Sequence, residues 1–165
     1  MNSRQKEIKW PVGFDPSSSP VYVKNELHMR ADPGQVWACL TRVITWPEWY
    51  PNASRVELIN QRADQLQSRT KFRWKTFGVN LVSEVVDYVP NERIAWTALG
   101  PGVKAYHAWL IIPEKEGCHV ITEETQHGWL CRLGKMIFPR RMHKLHQVWL
   151  TALEKKAVSD VMVRS

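Results

Sequence analysis

The first regular pattern in the chain begins at residue 22, where apolar and polar residues alternate for ten positions. One face of this segment carries Val23, Asn25, Leu27, Met29 and Ala31, and the other carries Tyr22, Lys24, Glu26, His28 and Arg30. Successive side chains of a β-strand point to opposite faces of the sheet. A period of two therefore predicts a strand with one buried face and one polar face.

A short helix is predicted directly after this strand. Asp32 suits the N-cap position, Pro33 suits the first helical position, and Gln35 stands where the partner of a capping box belongs. Apolar residues then recur at helical spacing, at Val36, Trp37, Leu40 and Ile44. The helical segment is expected to end within residues 46–51, because the prolines at 47 and 51 restrict the residues that precede them.

Strand patterns follow almost without interruption from Ser54 to His127. They are separated by tight-turn signals at Phe77-Gly78, Pro90-Asn91, Gly100-Pro101-Gly102 and Glu116-Gly117. After Gly128 the pattern becomes helical, and Pro139 is expected to kink or break this last helix. The order of elements predicts an α+β fold, in which a curved antiparallel sheet wraps around a long C-terminal helix and two short helices follow the first strand.

The turns also predict which side chains share a face, because residues paired across a hairpin point to the same side of the sheet. The predicted pairs are Trp74 with Leu81, Phe72 with Ser83, Val85 with Trp96, Trp96 with His107, and His107 with Glu124, flanked by Trp109 and Thr122. The opposite face collects mainly charged residues, namely Lys71, Arg73, Lys75, Glu84, Arg93 and Glu123. The charged face is expected to face water and the aromatic face to face the long helix.

A histidine and a glutamate thus fall side by side within an aromatic wall. Burial of a charged group is costly unless the group is paired, so the position of His107 and Glu124 requires an explanation. An internal cavity with apolar walls and a few converging polar groups explains this mixture and is the preferred interpretation. The alternative is a packed core that contains a structural His–Glu pair.

Length and composition narrow the class of protein. The 165 residues suit one domain with a sizeable core. We assign residues 1–20 to an irregular N-terminal arm, which Trp10 and Phe14 would attach to the domain, residues 21–158 to the domain and residues 159–165 to a C-terminal tail. No apolar run has the length of a membrane span, no export signal stands in the first twenty residues, and the three cysteines are odd in number and widely spaced. We therefore expect a cytoplasmic protein.

Several motifs together resemble those of the START-like superfamily, also known as SRPBCC, which includes polyketide cyclases/dehydrases and Bet v 1-like proteins. They are Asp32-Pro33 with Val36-Trp37, the segment 46–51, Phe72-x-Trp74 followed by Gly78, the segment 90–96, His107-x-Trp109, and Glu124 followed by Gly128. The resemblance covers about residues 21 to 157. It implies a helix-grip fold with a deep cavity between sheet and C-terminal helix, roofed by the segment that holds Trp46 and Trp49.

Members of this superfamily bind lipids, sterols, hormones, quinones or polyketides, and some close aromatic rings. The resemblance implies no universal catalytic residue, and a fold alone does not determine chemistry. The present sequence departs from the cyclases in one respect. No arginine or tyrosine is assigned to the inner wall by the predicted register, since Arg73 points outward and Tyr50 lies in the segment 46–51.

The leading hypothesis is the binding of a hydrophobic small molecule, aromatic or lipid-like, because flat rings stack well on tryptophan. The candidate ligand-binding residues are Trp46, Trp49, Phe72, Trp74, Ser83, Val85, Trp96, His107, Trp109, Thr122, Glu124, Trp129, Leu133, Ile137, Leu145 and Trp149. A second hypothesis is a cyclase or dehydratase that uses His107 and Glu124 as a catalytic acid–base pair. The first of these hypotheses is favoured over an enzyme.

The net charge of +7 suggests a third hypothesis, delivery of a lipid or quinone at an anionic membrane surface. The cations concentrate near the C-terminus, at Arg132, Lys135, Arg140, Arg141, Lys144, Lys155 and Lys156, and a solvated helix face is the simpler explanation for them.

No nucleic-acid reading motif is found, so nucleic acid is not an expected partner. His143 and His146 stand three apart on a helix without a third ligand nearby in sequence, so neither a metal nor a cofactor is expected. The oligomeric state is left open.

Overall fold

A computed structural model describes residues 7–59 and 64–162 of the chain and contains a single seven-stranded antiparallel sheet. The strands are β1 (Val21–Met29), β2 (Ala53–Ile59), β3 (Lys71–Thr76), β4 (Val79–Val89), β5 (Arg93–Gly100), β6 (Val103–Glu114) and β7 (Gly117–His127). Their order across the sheet is β1-β7-β6-β5-β4-β3-β2, so the first strand pairs with the last and the rest form a meander. The predicted α+β helix-grip fold with a curved sheet is confirmed.

Four α-helices and one 3-10 turn complete the described part of the fold. They are α1 (Pro33–Thr41), the turn Val43–Thr45, α2 (Trp46–Trp49), α3 (Trp129–Ile137) and α4 (Arg141–Met162). Asp32 and Gln35 form the predicted capping box, and Pro33 occupies the first turn of α1. The last helix is interrupted at Pro139, between α3 and α4, because proline cannot supply the backbone N–H that a continuous helix needs. Helix α4 continues to Met162, into the stretch assigned to a tail.

The register of the strands agrees with the predicted pairs. Trp74 pairs with Leu81, Trp96 with His107, and His107 with Glu124. The hairpin between β4 and β5 reaches this register by an unexpected route, since Val89 pairs with Arg93 and the loop is one residue longer than Pro90-Asn91. A β-bulge between Val85 and Asp87 then restores the pairing of Val85 with Trp96. The two irregularities cancel, so the side chains keep their predicted faces.

Helix α4 packs across the concave side of the sheet against β1, α1 and α2. Its inward face carries His146, Trp149, Leu150, Leu153 and Ala157, all of them buried. Asn25 on β1 fixes the start of the helix: its side-chain amide donates to the carbonyl oxygen of His143 at 3.1 Å and to the side-chain oxygen of Gln147 at 2.9 Å.

The outer face of the sheet is charged on β3 but covered on β5 and β6, which differs from the expectation of a fully water-facing surface. Phe14, from the N-terminal arm, is 7% exposed and packs with Ala95, Tyr106 and Ala108. Trp10 contacts the Tyr106 ring at a centroid distance of 5.5 Å, and the Tyr106 hydroxyl donates to the carbonyl oxygen of Lys9 at 2.9 Å. Described residues 7–20 contain no helix or strand, and the side chains of Ile8, Trp10 and Phe14 pack against the outer face of the sheet.

Within the described residues, no helix has the length and apolar character needed to cross a bilayer.

Candidate functional site

Three ionisable side chains from different elements meet in the interior. His107 on β6, Glu124 on β7 and His146 on α4 are each at most 7% exposed. The Nδ1 atom of His107 lies 3.3 Å from Oε2 of Glu124, and the Nε2 atom of His146 lies 3.0 Å from the same oxygen. The two imidazole rings are stacked, with centroids 4.8 Å apart and planes inclined by 15°. We name these three residues the His–Glu–His cluster.

Neighbouring polar groups complete the surroundings of the cluster. The Gln126 side-chain amide donates to Oε1 of Glu124 at 2.7 Å. Burial raises the pKa of Glu124, but the ring of His107 and the nitrogen atoms of His146 and Gln126 outweigh that effect and lower it below its usual value. Burial also lowers the pKa of His107. At neutral pH the cluster therefore holds an ionised carboxylate beside a neutral His107.

The aromatic wall next to this cluster is a packed core. Trp46, Trp96, Trp109 and Trp149 are at most 1% exposed, and the ring of Trp149 lies 5.0 Å from those of both Trp46 and Trp109. Tyr50 stacks on Trp149 with centroids 4.4 Å apart. The aromatic rings of this wall thus pack against one another. In this region the structure agrees with the alternative, a core that includes buried polar side chains.

Polar partners are unevenly distributed within the wall. The Trp74 indole donates to Ser83 at 3.0 Å, and the Trp46 indole donates to the carbonyl oxygen of Leu40 at 3.0 Å. The Nε1 atoms of Trp96, Trp109 and Trp149 are buried and have no hydrogen-bond partner within the described residues. A buried donor without a partner costs about 1–3 kcal/mol. The core therefore keeps three donors whose bonds to water are lost without replacement.

A cavity of about 540 Å³ lies beside this core, between β1, the β3–β4 hairpin and α3. Its apolar lining includes Val23, Leu81, Leu133 and Ile137. Lys24, Lys135 and Arg141 also line it, and no aspartate or glutamate is found among its described lining residues. The volume falls within the range of about 300–1,000 Å³ that is typical of small-molecule sites.

The structure separates the predicted ligand-binding residues into three groups. Leu133 and Ile137 line the cavity. A second group is buried in the packed core or in the His–Glu–His cluster and consists of Trp46, Phe72, Trp74, Ser83, Val85, Trp96, His107, Trp109, Thr122, Glu124 and Trp149. Trp49 and Leu145 are partly buried, and Trp129 is 66% exposed on α3.

Sequence reasoning missed the place of His146 in the cluster, because it placed Leu145 on the inward face of the last helix. The spacing of residues in the sequence does indicate which side chains share the inward face of this helix. His146 precedes Trp149 by three residues, Leu150 by four and Leu153 by seven, which is the spacing of one helical face. The polar character of histidine conceals this signal, because an inward helix face is expected to show an apolar stripe.

Solved structures share this architecture. A hypothetical protein from Helicobacter pylori is 25% identical with a TM-score of 0.85, and the match covers 95% of this chain and 99% of that chain. An aromatase/cyclase from a Streptomyces species is 15% identical with a TM-score of 0.73, covering 86% and 95%. Norcoclaurine synthase from Thalictrum flavum is 14% identical with a TM-score of 0.64, covering 82% and 91%. The last two likenesses establish the fold alone.

A search of curated proteins gave no match to the chain. Residues 21–158 match the family described as polyketide cyclase/dehydrase and lipid transport. The chain belongs to this family. Membership in the polyketide cyclase/dehydrase and lipid transport family agrees with the predicted START-like resemblance and with a fold that binds hydrophobic ligands. It does not specify the ligand, so the position and chemistry of the cavity become the main guide.

Proposed function

We propose that the protein binds a hydrophobic small molecule with an anionic group in the cavity beside α3. The single observation that carries this proposal is the composition of the cavity wall, which is largely apolar and includes cations but no described acidic residue. The apolar wall would desolvate a chain or ring system of the ligand. The lipid transport named in the family description agrees with a ligand of this class.

The cations are placed to select an anionic group. Arg141 begins α4 and lies over the rings of Phe77 and Phe138, at 5.8 and 5.7 Å from their centroids. The amino group of Lys135 donates to the carbonyl oxygen of Pro20 at 2.9 Å, which holds this side chain at the cavity. Guanidinium and ammonium groups form charge-assisted hydrogen bonds to carboxylate or phosphate oxygens. A fatty-acid-like or phosphate-bearing amphiphile would place its apolar chain against the apolar lining and its anionic group beside the cations.

A cyclase-type enzyme that uses His107 and Glu124 as an acid–base pair has less support. Such a mechanism needs a substrate atom within hydrogen-bond reach of the two groups. His107 and Glu124 are 2% and 7% exposed, and neither lines this cavity, although Gln126 does. Binding without turnover is therefore the function that the geometry favours.

The test compares dodecanoate with dodecanol in titration calorimetry. We expect Gly134→Phe to abolish binding of both, because Gly134 lines the cavity and a side chain there meets open space rather than packed atoms. Arg141→Gln is expected to weaken dodecanoate about tenfold and to leave dodecanol unchanged. Arg132→Gln, an exposed position on α3, is the matched control. Unchanged dodecanoate binding in Gly134→Phe would overturn the proposed site.

A second function, docking on anionic membranes, is favoured by the surface of α3. Met136 is 74% exposed, and Ile137 and Phe138 are 54% and 55% exposed. Arg132, Lys135, Arg140 and Arg141 stand within the same segment. A short amphipathic helix with exposed apolar residues beside cations is suited to lie at an anionic lipid surface. Docking there would bring the cavity opening to the membrane.

Vesicle co-sedimentation tests this second function. We expect binding to vesicles of phosphatidylcholine with phosphatidylglycerol, and little binding to phosphatidylcholine alone. Met136→Glu is expected to reduce sedimentation with the anionic vesicles, since it places a negative charge on the docking face. Val12→Glu adds the same charge at a fully exposed residue of the arm and serves as control. Equal losses in the two variants would point to general charge attraction rather than docking through α3.

A further inference from the structure

The His–Glu–His cluster has the spacing of a metal-binding site. The ligand atoms of its three residues all lie within 4.8 Å of one another. Zinc binds imidazole nitrogen and carboxylate oxygen at about 2.0–2.1 Å in tetrahedral geometry, which separates neighbouring ligand atoms by about 3.3 Å. The two nitrogen–oxygen distances in the cluster are 3.3 and 3.0 Å. The side chains are therefore already close to the spacing that a bound ion imposes.

Both ring nitrogens of His107 face polar groups. Its Nε2 atom lies 2.8 Å from the hydroxyl oxygen of Thr122, and that hydroxyl donates to the carbonyl oxygen of Ala108 at 3.2 Å. Bonded in this way, the hydroxyl can accept the Nε2 proton, and the tautomer protonated at Nε2 directs the Nδ1 lone pair at Oε2 of Glu124. In that tautomer, a cation held between these two atoms, which lie 3.3 Å apart, would bind both of them.

The groups around the cluster have the character of a second coordination layer. Histidine ligands of metals usually donate their other ring N–H to an oxygen, which fixes the tautomer and the ring orientation. The Thr122 hydroxyl, 2.8 Å from Nε2, can accept such a bond from His107, and Gln126 donates to the second oxygen of Glu124 at 2.7 Å. The Nδ1 atom of His146 has no hydrogen-bond partner among the described residues. Buried charges in proteins are usually paired or coordinate metals.

We propose that His107, Glu124 and His146 form a binding site for a divalent transition-metal ion of the zinc class. Two imidazoles and one carboxylate are a ligand set that zinc uses in proteins, with a fourth position left for water or another ligand. The proposal is independent of the hydrophobic-ligand function, because it rests on residues that do not line the cavity.

The test uses cobalt as a spectroscopic probe for zinc. The full-length protein is stripped with a chelator and titrated with Co²⁺, and a second sample is refolded from urea with Co²⁺ present, since the cluster is buried. A stoichiometric visible absorption band, displaced by Zn²⁺, is expected. Glu124→Gln and His146→Gln are expected to weaken binding at least about 100-fold. Near-ultraviolet circular dichroism of the tryptophans verifies that each variant is folded.

A surface cluster provides the necessary control. His28, Glu114 and His119 also lie within ligand distance of one another and are largely exposed. The titration is therefore repeated with His28→Ala, which is expected to keep the band. A band that disappears in His28→Ala but persists in His146→Gln would overturn the proposal. The absence of a band in folded wild-type protein, from either preparation, would overturn it as well.

Discussion

Trp149 is the residue around which the interior is organised. Its ring contacts those of Trp46, Trp109 and Tyr50 at centroid distances of 5.0, 5.0 and 4.4 Å, and only 1% of the residue is exposed. Edge-to-face and stacked aromatic pairs each add about 0.5–1.5 kcal/mol beyond the burial of their area. One side chain thus links α2, β6 and α4.

Trp149→Ala is expected to lower the free energy of unfolding by about 3–5 kcal/mol, because the loss of a large buried ring leaves a cavity that its rigid neighbours fill poorly. Urea denaturation followed by far-ultraviolet circular dichroism measures this change. Trp129→Ala removes the same side chain from a position that is 66% exposed, and its expected cost is below about 1 kcal/mol. Similar costs for the two substitutions would contradict the central role of Trp149.

At the residue scale, the sequence predicts which side chains are buried better than it predicts whether a cavity remains between them. Alternation placed Phe72, Trp96 and Trp109 on the inner face, where they are found with 0% exposure. Alternation describes direction only, and it does not say whether inward side chains leave room between them. The volumes of Trp46 and Trp149, which arrive from α2 and α4, decide that the wall is packed, and their meeting depends on tertiary contacts far apart in sequence.

The C-terminal elements differ in how firmly they are attached. Helix α4 buries His146, Trp149, Leu150 and Leu153, whereas Cys131 is the only buried residue among those of α3. Local stability follows the amount of buried apolar contact, so α3 is the segment expected to open first. Its opening would expose the cavity while the core around Trp149 stays intact.

Two glycines provide a matched test of how firmly α3 is attached. Gly128 directly precedes this helix, and Gly134 lies within it. Gly128 has φ +110°, and an added Cβ would lie 2.2 Å from the carbonyl oxygen of Gly102. Gly128→Ala is therefore expected to destabilise the protein by about 2 kcal/mol or more. Gly134→Ala meets open space within the helix and is expected to stabilise it by about 0.5–1 kcal/mol. Thermal unfolding of both variants measures the effects, and equal shifts would contradict the strain at Gly128.

Elements defined by local signals were predicted well, and those defined by packing were not. The capping box at Asp32, the turn at Phe77-Gly78 and the break at Pro139 depend on neighbouring residues, so the sequence indicates them directly. The bulge near Val86 left no readable signal, and the register survived because the longer loop compensates for it. The rotation of α4 follows from burial of His146, which an apolar stripe does not reveal.

At the scale of the whole molecule, the N-terminal arm covers the outer side of β5 and β6. Phe14 lies between Tyr106, at a centroid distance of 5.6 Å, and the amino group of Lys104, 5.2 Å above its ring. Two residues before Ala95 on β5, Arg93 is 6% exposed and forms an ion pair with Asp87. Both faces of β5 and β6 are thus shielded, which makes these strands the most protected part of the sheet.

Phe14→Ala is expected to reduce the free energy of unfolding by about 3 kcal/mol, because it removes the side chain that seals this surface. Val12→Ala, at a fully exposed position of the same arm, is expected to change it by less than about 0.5 kcal/mol. Guanidinium denaturation gives both values. A negligible effect of Phe14→Ala would mean that the arm rests on the sheet without stabilising it.

The pairing of the first strand with the last has a consequence for the newly synthesised chain. Val21 pairs with Gln126 and Met29 with Cys118, so β1 leaves the ribosome long before its partner exists. At about 5–20 residues per second, the residues between Met29 and Cys118 take about 4–18 seconds to synthesise. During that time the apolar face of β1 is without its native neighbour. The sheet is therefore completed only after translation of β7, and the early strand is the part of the nascent chain that most needs shielding from other chains.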